Sequence, residues 1–304
     1  MKGESMLAFH NGRFVPYSEL HIAPHDAGFV FGATVTDFCR TYAHKLFRWP
    51  DHLARLRRDA EACFVPLPYS DAELTAAAEE LVSENTKSLS PGDDMALITF
   101  ATPGPLGYMI GDTANGPPTV AMHTFTIPKE RYRRFFTEGV TLQEAGPIPR
   151  HSAVPTWVKH RSRVHWWRAS HAINLPHAVP VLAITPHAVD TAIGGVMAVR
   201  DGVLEWANSI FVLDSVSVRV VCELARALGI EVRATKVWPG RTALGDVSEL
   251  LLVGSAFGVA GVRTYAGTHA NDRLDFSWPG PVFTRLAAAW SELVGVDIVK
   301  QFTG

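Results

Sequence analysis

Met197-Ala198-Val199-Arg200-Asp201-Gly202-Val203-Leu204 places an Asp-Gly pair between two short apolar runs. Such a dipeptide tolerates the two positive φ angles of a type I′ turn, so the stretch predicts a two-residue β-hairpin. Leu7-Ala8-Phe9-His10-Asn11-Gly12-Arg13-Phe14-Val15 repeats the pattern near the N-terminus. Antiparallel hairpins in both halves, interleaved with helices, point to α/β domains of the α+β type and away from one doubly wound parallel sheet.

Working outward, Ser70-Asp71-Ala72-Glu73 forms a capping box and opens a helix to about Asn85, with Leu74, Ala77, Leu81 and Val82 on one face. Val216 to Leu228 reads as a second helix, striped by Val220, Val221, Leu224 and Leu228 and closed by Gly229. Strands are expected at Ala96–Phe100, Thr119–Thr124, Val179–Ile184, Ile230–Ala234 and Leu250–Val253. The basic run Lys129-Glu130-Arg131-Tyr132-Arg133-Arg134 reads as a solvated segment. We therefore expect a small N-terminal domain over 1–127, a linker over 128–136 and a larger domain over 137–304. Ala145 to Thr156 reads as an exposed proline-rich loop.

The length of 304 residues suits about two domains, with 47% hydrophobic residues to fill their cores. Lys plus Arg number 28 and Asp plus Glu 30, a net charge of -2 that leaves no basic surplus for nucleic acid. Leu250 to Val262, the longest apolar-looking stretch, is broken by Gly254, Ser255, Gly258 and Gly261 and is too short for a span of about 20 residues. No basic run followed by an apolar one opens the chain, so no secretory leader is expected. Cys39, Cys63 and Cys222 are scattered, which reads as three reduced thiols in a cytoplasmic protein. The 13 histidines show no metal-ligand spacing, so no metal site is expected.

Three features bear on chemistry. Lys159 follows Trp157-Val158 and precedes His160-Arg161-Ser162-Arg163. Apolar neighbours and other cations favour the neutral amine, which can form a Schiff base. Ser215-Val216-Ser217 stands at a helix N-terminus, where unpaired N–H groups and hydroxyls suit an anion. Val253-Gly254-Ser255 ends a buried strand, with a glycine for close approach and a hydroxyl beside it.

In this order these features are similar to the class IV aminotransferases, the fold-type IV pyridoxal phosphate enzymes. That family includes branched-chain and D-amino acid aminotransferases and aminodeoxychorismate lyase. The resemblance runs from about Phe9 to the C-terminus. It includes Asp26-Ala27-Gly28-Phe29-Val30-Phe31-Gly32-Ala33, Thr34 to Arg40, His52-Leu53-Ala54-Arg55-Leu56, Lys159, Leu213-Asp214-Ser215-Val216-Ser217 and Val253-Gly254-Ser255-Ala256. It implies a two-domain enzyme, like D-amino acid aminotransferase, with pyridoxal 5'-phosphate at the domain interface and a homodimeric assembly. Lys159 would be the catalytic Schiff-base lysine. Arg55, Ser215, Val216, Ser217, Gly254 and Ser255 would hold the phosphate. Asp190 stands where the family keeps a glutamate facing the pyridine nitrogen, counting back from the Asp201-Gly202 turn, and Gly195 stands where it keeps an asparagine.

The activity implied is transfer of an amino group from a branched-chain or other hydrophobic amino acid, or a simple amine, to a 2-oxo acid. The alternatives are a lyase of the aminodeoxychorismate type and a catalytically impaired cofactor-binding protein. Lys159-His160-x-x-Arg163 is similar to the lyase branch, but Phe38 occupies that branch's hydroxyl position. Thr102 to Tyr108 lacks the arginine that several relatives place there. Arg40, Arg161 and Arg163 are the candidate substrate-carboxylate partners. By the same resemblance, Phe29 or Phe31, and Val164, stand in place of tyrosines that other branches keep near the cofactor, which makes Phe31 a further candidate to touch substrate.

Overall fold

The computed structural model describes residues 6–146, 148, 154–185, 188–207, 212–235, 241–268 and 273–304. Pro147 and Pro149, expected in an exposed loop, lie outside these residues. The chain divides into two compact units, one formed by Met1–Ile127 with Val158–Ser162 and the other by Pro128–Trp157 with Arg163–Gly304.

The first unit contains strands β1 (Leu7–His10), β2 (Arg13–Pro16), β3 (Val35–Tyr42), β4 (Lys45–Leu46), β5 (Met95–Thr102) and β6 (Thr119–Thr126). Its helices are α1 (Ala27–Val30), α2 (Trp49–Ala62) and α3 (Asp71–Thr86). The strands form one sheet in the order β2-β1-β6-β5-β3-β4, with antiparallel neighbours throughout. The hairpin between β1 and β2 pairs His10 with Arg13, and Asn11 and Gly12 have φ of 47° and 85°. The capping box at Ser70 and Glu73 is formed in full. Asp26, fully buried, fixes the start of α1 by accepting from the Gly28 N–H at 2.7 Å and the Thr119 hydroxyl at 2.8 Å.

The second unit contains β7 (Val140–Glu144), β8 (Val179–Thr185), β9 (Ala188–Thr191), β10 (Gly195–Arg200), β11 (Val203–Ala207), β12 (Val232–Thr235), β13 (Glu249–Gly254), β14 (Gly258–Ala266) and β15 (Arg273–Asp275). Its helices are α4 (Lys129–Thr137), α5 (Val164–Ala172), α6 (Val216–Ala227), α7 (Pro281–Val294) and α8 (Lys300–Thr303). Among the described residues the sheet runs β12-β11-β10-β13-β14-β7-β8-β9, with β15 on β14. Parallel pairs, β11 with β12 and β7 with both β14 and β8, accompany the antiparallel ones. The quoted hairpin joins β10 to β11 with Arg200 opposite Val203, and Asp201 and Gly202 both have positive φ.

Two boundaries differ from the sequence expectation. Residues 128–136 are no linker, because Lys129–Thr137 is helix α4. Its Tyr132, Phe135 and Phe136 recur at helical spacing and pack on Phe257 and Phe302, which outweighs the basic face. Val158–Ser162 belongs to the first unit, because it hydrogen-bonds to the start of β3. Among the described residues no helix is long and apolar enough to cross a membrane.

Candidate functional site

Lys159 is held in the first unit by its main chain. Its N–H donates to Asp59 Oδ2 at 2.7 Å, and its carbonyl accepts from the Thr36 N–H at 3.0 Å. His160 bridges Val35, and the Arg161 N–H donates to the Thr34 carbonyl at 2.9 Å. The lysine thus sits on a short extended segment along β3, with its side chain half-buried. Asp59 is fully buried on α2. Burial pushes its carboxyl above the ordinary range, against the Lys159 N–H and Arg58.

Arg55, on α2, is 4% exposed and grips Asp37 of β3 with Nε at 2.8 Å and Nη2 at 3.0 Å. His52, one turn earlier, sets Nδ1 2.6 Å from Asp37 Oδ1. Burial alone would raise the Asp37 carboxyl, but the Arg55 guanidinium and His52 hold it well below the usual carboxylate range. Burial is also the largest influence on His52 and lowers it, outweighing Asp37; the charge of Lys159 adds to the lowering. A neutral ring facing an ionised carboxylate must donate from Nδ1. Lys159, His52, Asp37 and Arg55 therefore form one electrostatic group.

The other first-unit candidates divide. Arg40 is 1% exposed, 3.6 Å from Asp94, with its guanidinium 3.8 Å from the centre of the Tyr42 ring. That is an internal ion pair, and it corrects the expectation of Arg40 as a substrate ligand: its charge is spent inside the unit. Phe31 is 67% exposed at the C-terminal end of α1. Arg161 is exposed and lines a cavity of the first unit.

In the second unit, Ser215 caps α6, accepting the Val218 N–H at 3.3 Å. Val216 and Ser217 are the first two residues of this 12-residue helix, whose geometry gives their N–H groups no partner within it. The buried Ser217 places its Oγ 3.2 Å from Oγ of Ser255, at the end of β13. Two hydroxyls and a helix N-terminus converge here on one spot suited to an anion. The backbone is tight around it. A Cβ at Gly254 would lie 2.5 Å from the Ile193 carbonyl oxygen, and one at Gly194 2.5 Å from that of Val253. Gly254→Ala is expected to cost about 1–3 kcal/mol in urea denaturation, since backbone and not a flexible side chain would have to move.

Asp190, on β9, is 5% exposed and accepts the Thr191 N–H at 2.9 Å. It lines one cavity with Gly195, Trp206, Leu213 and Ser215, so the acid and the capped end of α6 face common space. Gly195 starts β10, where a Cβ would meet Val218 at 3.0 Å. Arg163 donates from Nη2 to the Ala192 carbonyl at 2.5 Å and thereby ties α5 to the segment after β9.

Sequence reasoning named Lys159, Arg55 and the serines but assigned no role to Asp37 or Asp59. A signal for Asp37 existed: His52 and Arg55 are spaced to share a helix face, and two such groups near one buried strand call for an acid. Asp59 meets Lys159 across a separation of 100 residues, with no local signature.

Taken by itself, the first unit offers an amine beside a buried cation. Taken by itself, the second offers an anion cradle and a buried carboxylate, and each set suits a phosphorylated aldehyde such as pyridoxal phosphate. Comparison with known proteins identifies the family. The family model for class IV amino-transferases matches residues 34–265. D-alanine aminotransferase from Listeria monocytogenes is 23% identical over 239 residues, covering 73% of this chain and 75% of the relative. That from Bacillus licheniformis is 33% identical over 126 residues, covering 41% of this chain and 42% of the relative's own length. Branched-chain amino acid aminotransferase from Escherichia coli superposes with a TM-score of 0.80 at 20% identity, covering 95% of each chain. The T.th. branched-chain enzyme, complexed with N-(5'-phosphopyridoxyl)-L-glutamate, superposes with a TM-score of 0.78 at 21% identity, covering 96% of this chain and 95% of its own. These structural likenesses establish the fold.

Proposed function

Since the chain belongs to the class IV aminotransferase family, we propose that it binds pyridoxal 5'-phosphate and moves an amino group from a hydrophobic amino acid or simple amine to a 2-oxo acid. The observation that carries this reading is Lys159, its main chain fixed by Asp59 and β3 and its amine within electrostatic reach of His52.

When bound, pyridoxal phosphate supplies an aldehyde carbon for amine exchange and a ring that accepts the electron pair released at the substrate α-carbon. Lys159 Nζ would hold the cofactor and, when free, would take and return the substrate α-proton. The Ser217 and Ser255 hydroxyls and the N–H groups of Val216 and Ser217 would hold the phosphate, to which Arg55 would add positive charge. Asp190 would supply the carboxylate that keeps the ring nitrogen protonated. Ser255→Ala removes one hydroxyl from the cradle and is expected to weaken pyridoxal phosphate binding about 10- to 100-fold, read by equilibrium titration of the visible band.

Phe38 favours transamination over the lyase reaction: it packs on Phe125 beside Ile98 and Phe100 and offers no hydroxyl. A homodimer is supported by the apolar side chains left open on the first unit, with Phe29 75%, Phe31 67%, Tyr108 66% and Ile110 61% exposed. Three free cysteines support a cytoplasmic protein.

The test is a half-reaction. Loaded protein mixed with D-alanine, L-leucine or a simple amine, without acceptor, should lose its aldehyde-form spectrum and return it on adding a 2-oxo acid. Pyruvate release from aminodeoxychorismate without an acceptor would instead establish the lyase. Cofactor binding with neither reaction would establish the impaired protein.

A further inference from the structure

Asp190 stands one residue before the end of β9, where pairing with β8 stops: Leu182 lies opposite Asp190, and Val181 opposite Thr191. Beyond Thr191 the chain turns and starts β10 at Gly195. An aspartate has two side-chain torsions, so its carboxylate goes largely where the backbone takes it. Whatever fixes the backbone at this strand end therefore fixes the acid.

Thr191 does so with one buried hydroxyl. Its Oγ1 donates to the Gly194 carbonyl at 2.5 Å. It accepts the Gly194 N–H at 2.9 Å and the Ile193 N–H at 3.3 Å. The hydroxyl proton and both lone pairs are thus used inside the turn. The Thr191 N–H, in turn, donates to Asp190 Oδ1 at 2.9 Å. The far side of the turn is anchored separately. Arg163 donates to the Ala192 carbonyl, and Ala192 packs on the cluster of Trp166, Ala169 and Leu182. Gly194 lies tight against the Val253 carbonyl, and Gly195 pairs with Val253 in the sheet. Thr191 closes the side that bears the acid onto this fixed frame.

Branching at Cβ restricts the threonine side chain to few rotamers, which keeps the hydroxyl aimed at the turn. Valine has the same branching and nearly the same shape but neither donates nor accepts. Thr191→Val therefore removes three hydrogen bonds with little change of volume. Among the described residues the hydroxyl bonds only within the turn, and not to Ser215, Ser217 or Ser255. Its influence thus runs through the acid and not through the phosphate cradle.

We infer that Thr191 is a positioning residue: by closing the turn 191–194 it holds the Asp190 carboxylate in the cavity shared with Ser215 and thereby, on the aminotransferase reading given above, sets how firmly the ring nitrogen of pyridoxal phosphate is held protonated.

The test titrates the full chain with pyridoxal 5'-phosphate and with its 1-deaza analogue, in which a C–H replaces the ring nitrogen. Wild-type protein should prefer the nitrogen compound by at least about 10-fold, as a charge-assisted hydrogen bond would give. Thr191→Val should cut that preference to about 3-fold or less and bind the analogue within about 2-fold of wild type, while Thr191→Ser should restore the preference. The nitrogen-15 resonance of ring-labelled cofactor should stand at the protonated position in wild type and Thr191→Ser, and move toward the unprotonated one in Thr191→Val. Circular dichroism and a thermal melt identify a misfolded variant, and Thr191→Ala gives the same comparison if valine is not accommodated. An unchanged preference and resonance in a folded variant lacking the hydroxyl would overturn the assignment. So would equal weakening of both compounds, no recovery in Thr191→Ser, or equal binding of the two compounds by wild type. Because binding is read without turnover, the two readings fail separately. Amino transfer by a protein whose nitrogen preference ignores Thr191 sinks the positioning role alone. A Thr191-dependent preference in a protein that performs no half-reaction sinks the aminotransferase reading alone.

Discussion

Lys159→Met should lower the amino-transfer rate by about 10,000-fold or more while shifting stability by less than about 0.5 kcal/mol. The two effects separate because the residue is fixed through its main chain. The Asp59 and Thr36 hydrogen bonds use the backbone N–H and carbonyl, which methionine also presents. The amine, by contrast, is the group that would attach the cofactor and carry the α-proton, and methionine can do neither. Stopped-flow half-reactions with the best donor, beside a thermal melt, read both effects. A variant retaining more than about 1% of the rate would assign the proton transfer elsewhere. Asp59→Ala should give the opposite profile, a modest rate loss with a clear loss of stability, since it frees the Lys159 N–H.

The largest stability effect is expected at Asp37. Its side chain is 2% exposed and bonds to both Arg55 and His52. Removing it strands a buried guanidinium, so Asp37→Ala should cost about 3–5 kcal/mol in urea denaturation. The double variant Asp37→Leu/Arg55→Leu should recover much of that loss, because it removes the charge together with its partner. It should not recover phosphate affinity, which separates the structural from the binding role of Arg55. The pH dependence has a defined sign. The Asp37 carboxyl is depressed in the folded state, so its contribution is present above its unfolded value near 3.8 and lost as pH falls through the folded one. The wild-type protein should therefore weaken from about pH 4 downward, and the Asp37→Ala variant should show a flatter acid limb.

Local chemistry made much of the fold legible. Asn11-Gly12 and Asp201-Gly202 specify their hairpins through positive φ, and Ser70 with Glu73 specifies the start of α3. Helix α6 followed from the Val220, Val221 and Leu224 stripe, ending at Ala227 with Gly229 just beyond. Helix α4 differs from the solvated segment that its sequence suggests: five of its first six residues are charged, and only packing of Tyr132, Phe135 and Phe136 reveals the buried stripe. Strand β12 is shorter at its start than expected, beginning at Val232, because its limits are set by parallel pairing with β11. The candidate site was less legible. Lys159 stood out through resemblance, while the carboxylates serving it and Arg55 come from distant strands and helices. Arg40 shows the converse: a suitable residue near a plausible motif whose charge is satisfied by Asp94, far along the chain.

The central claim is that Lys159 carries the cofactor. Adding pyridoxal phosphate to the purified protein, reducing with borohydride and mapping the labelled peptide tests it most directly. The account predicts a yellow protein and one stable pyridoxyl group, on Lys159, absent from the Lys159→Met variant. No label, or a label on another lysine that persists in that variant, would contradict it.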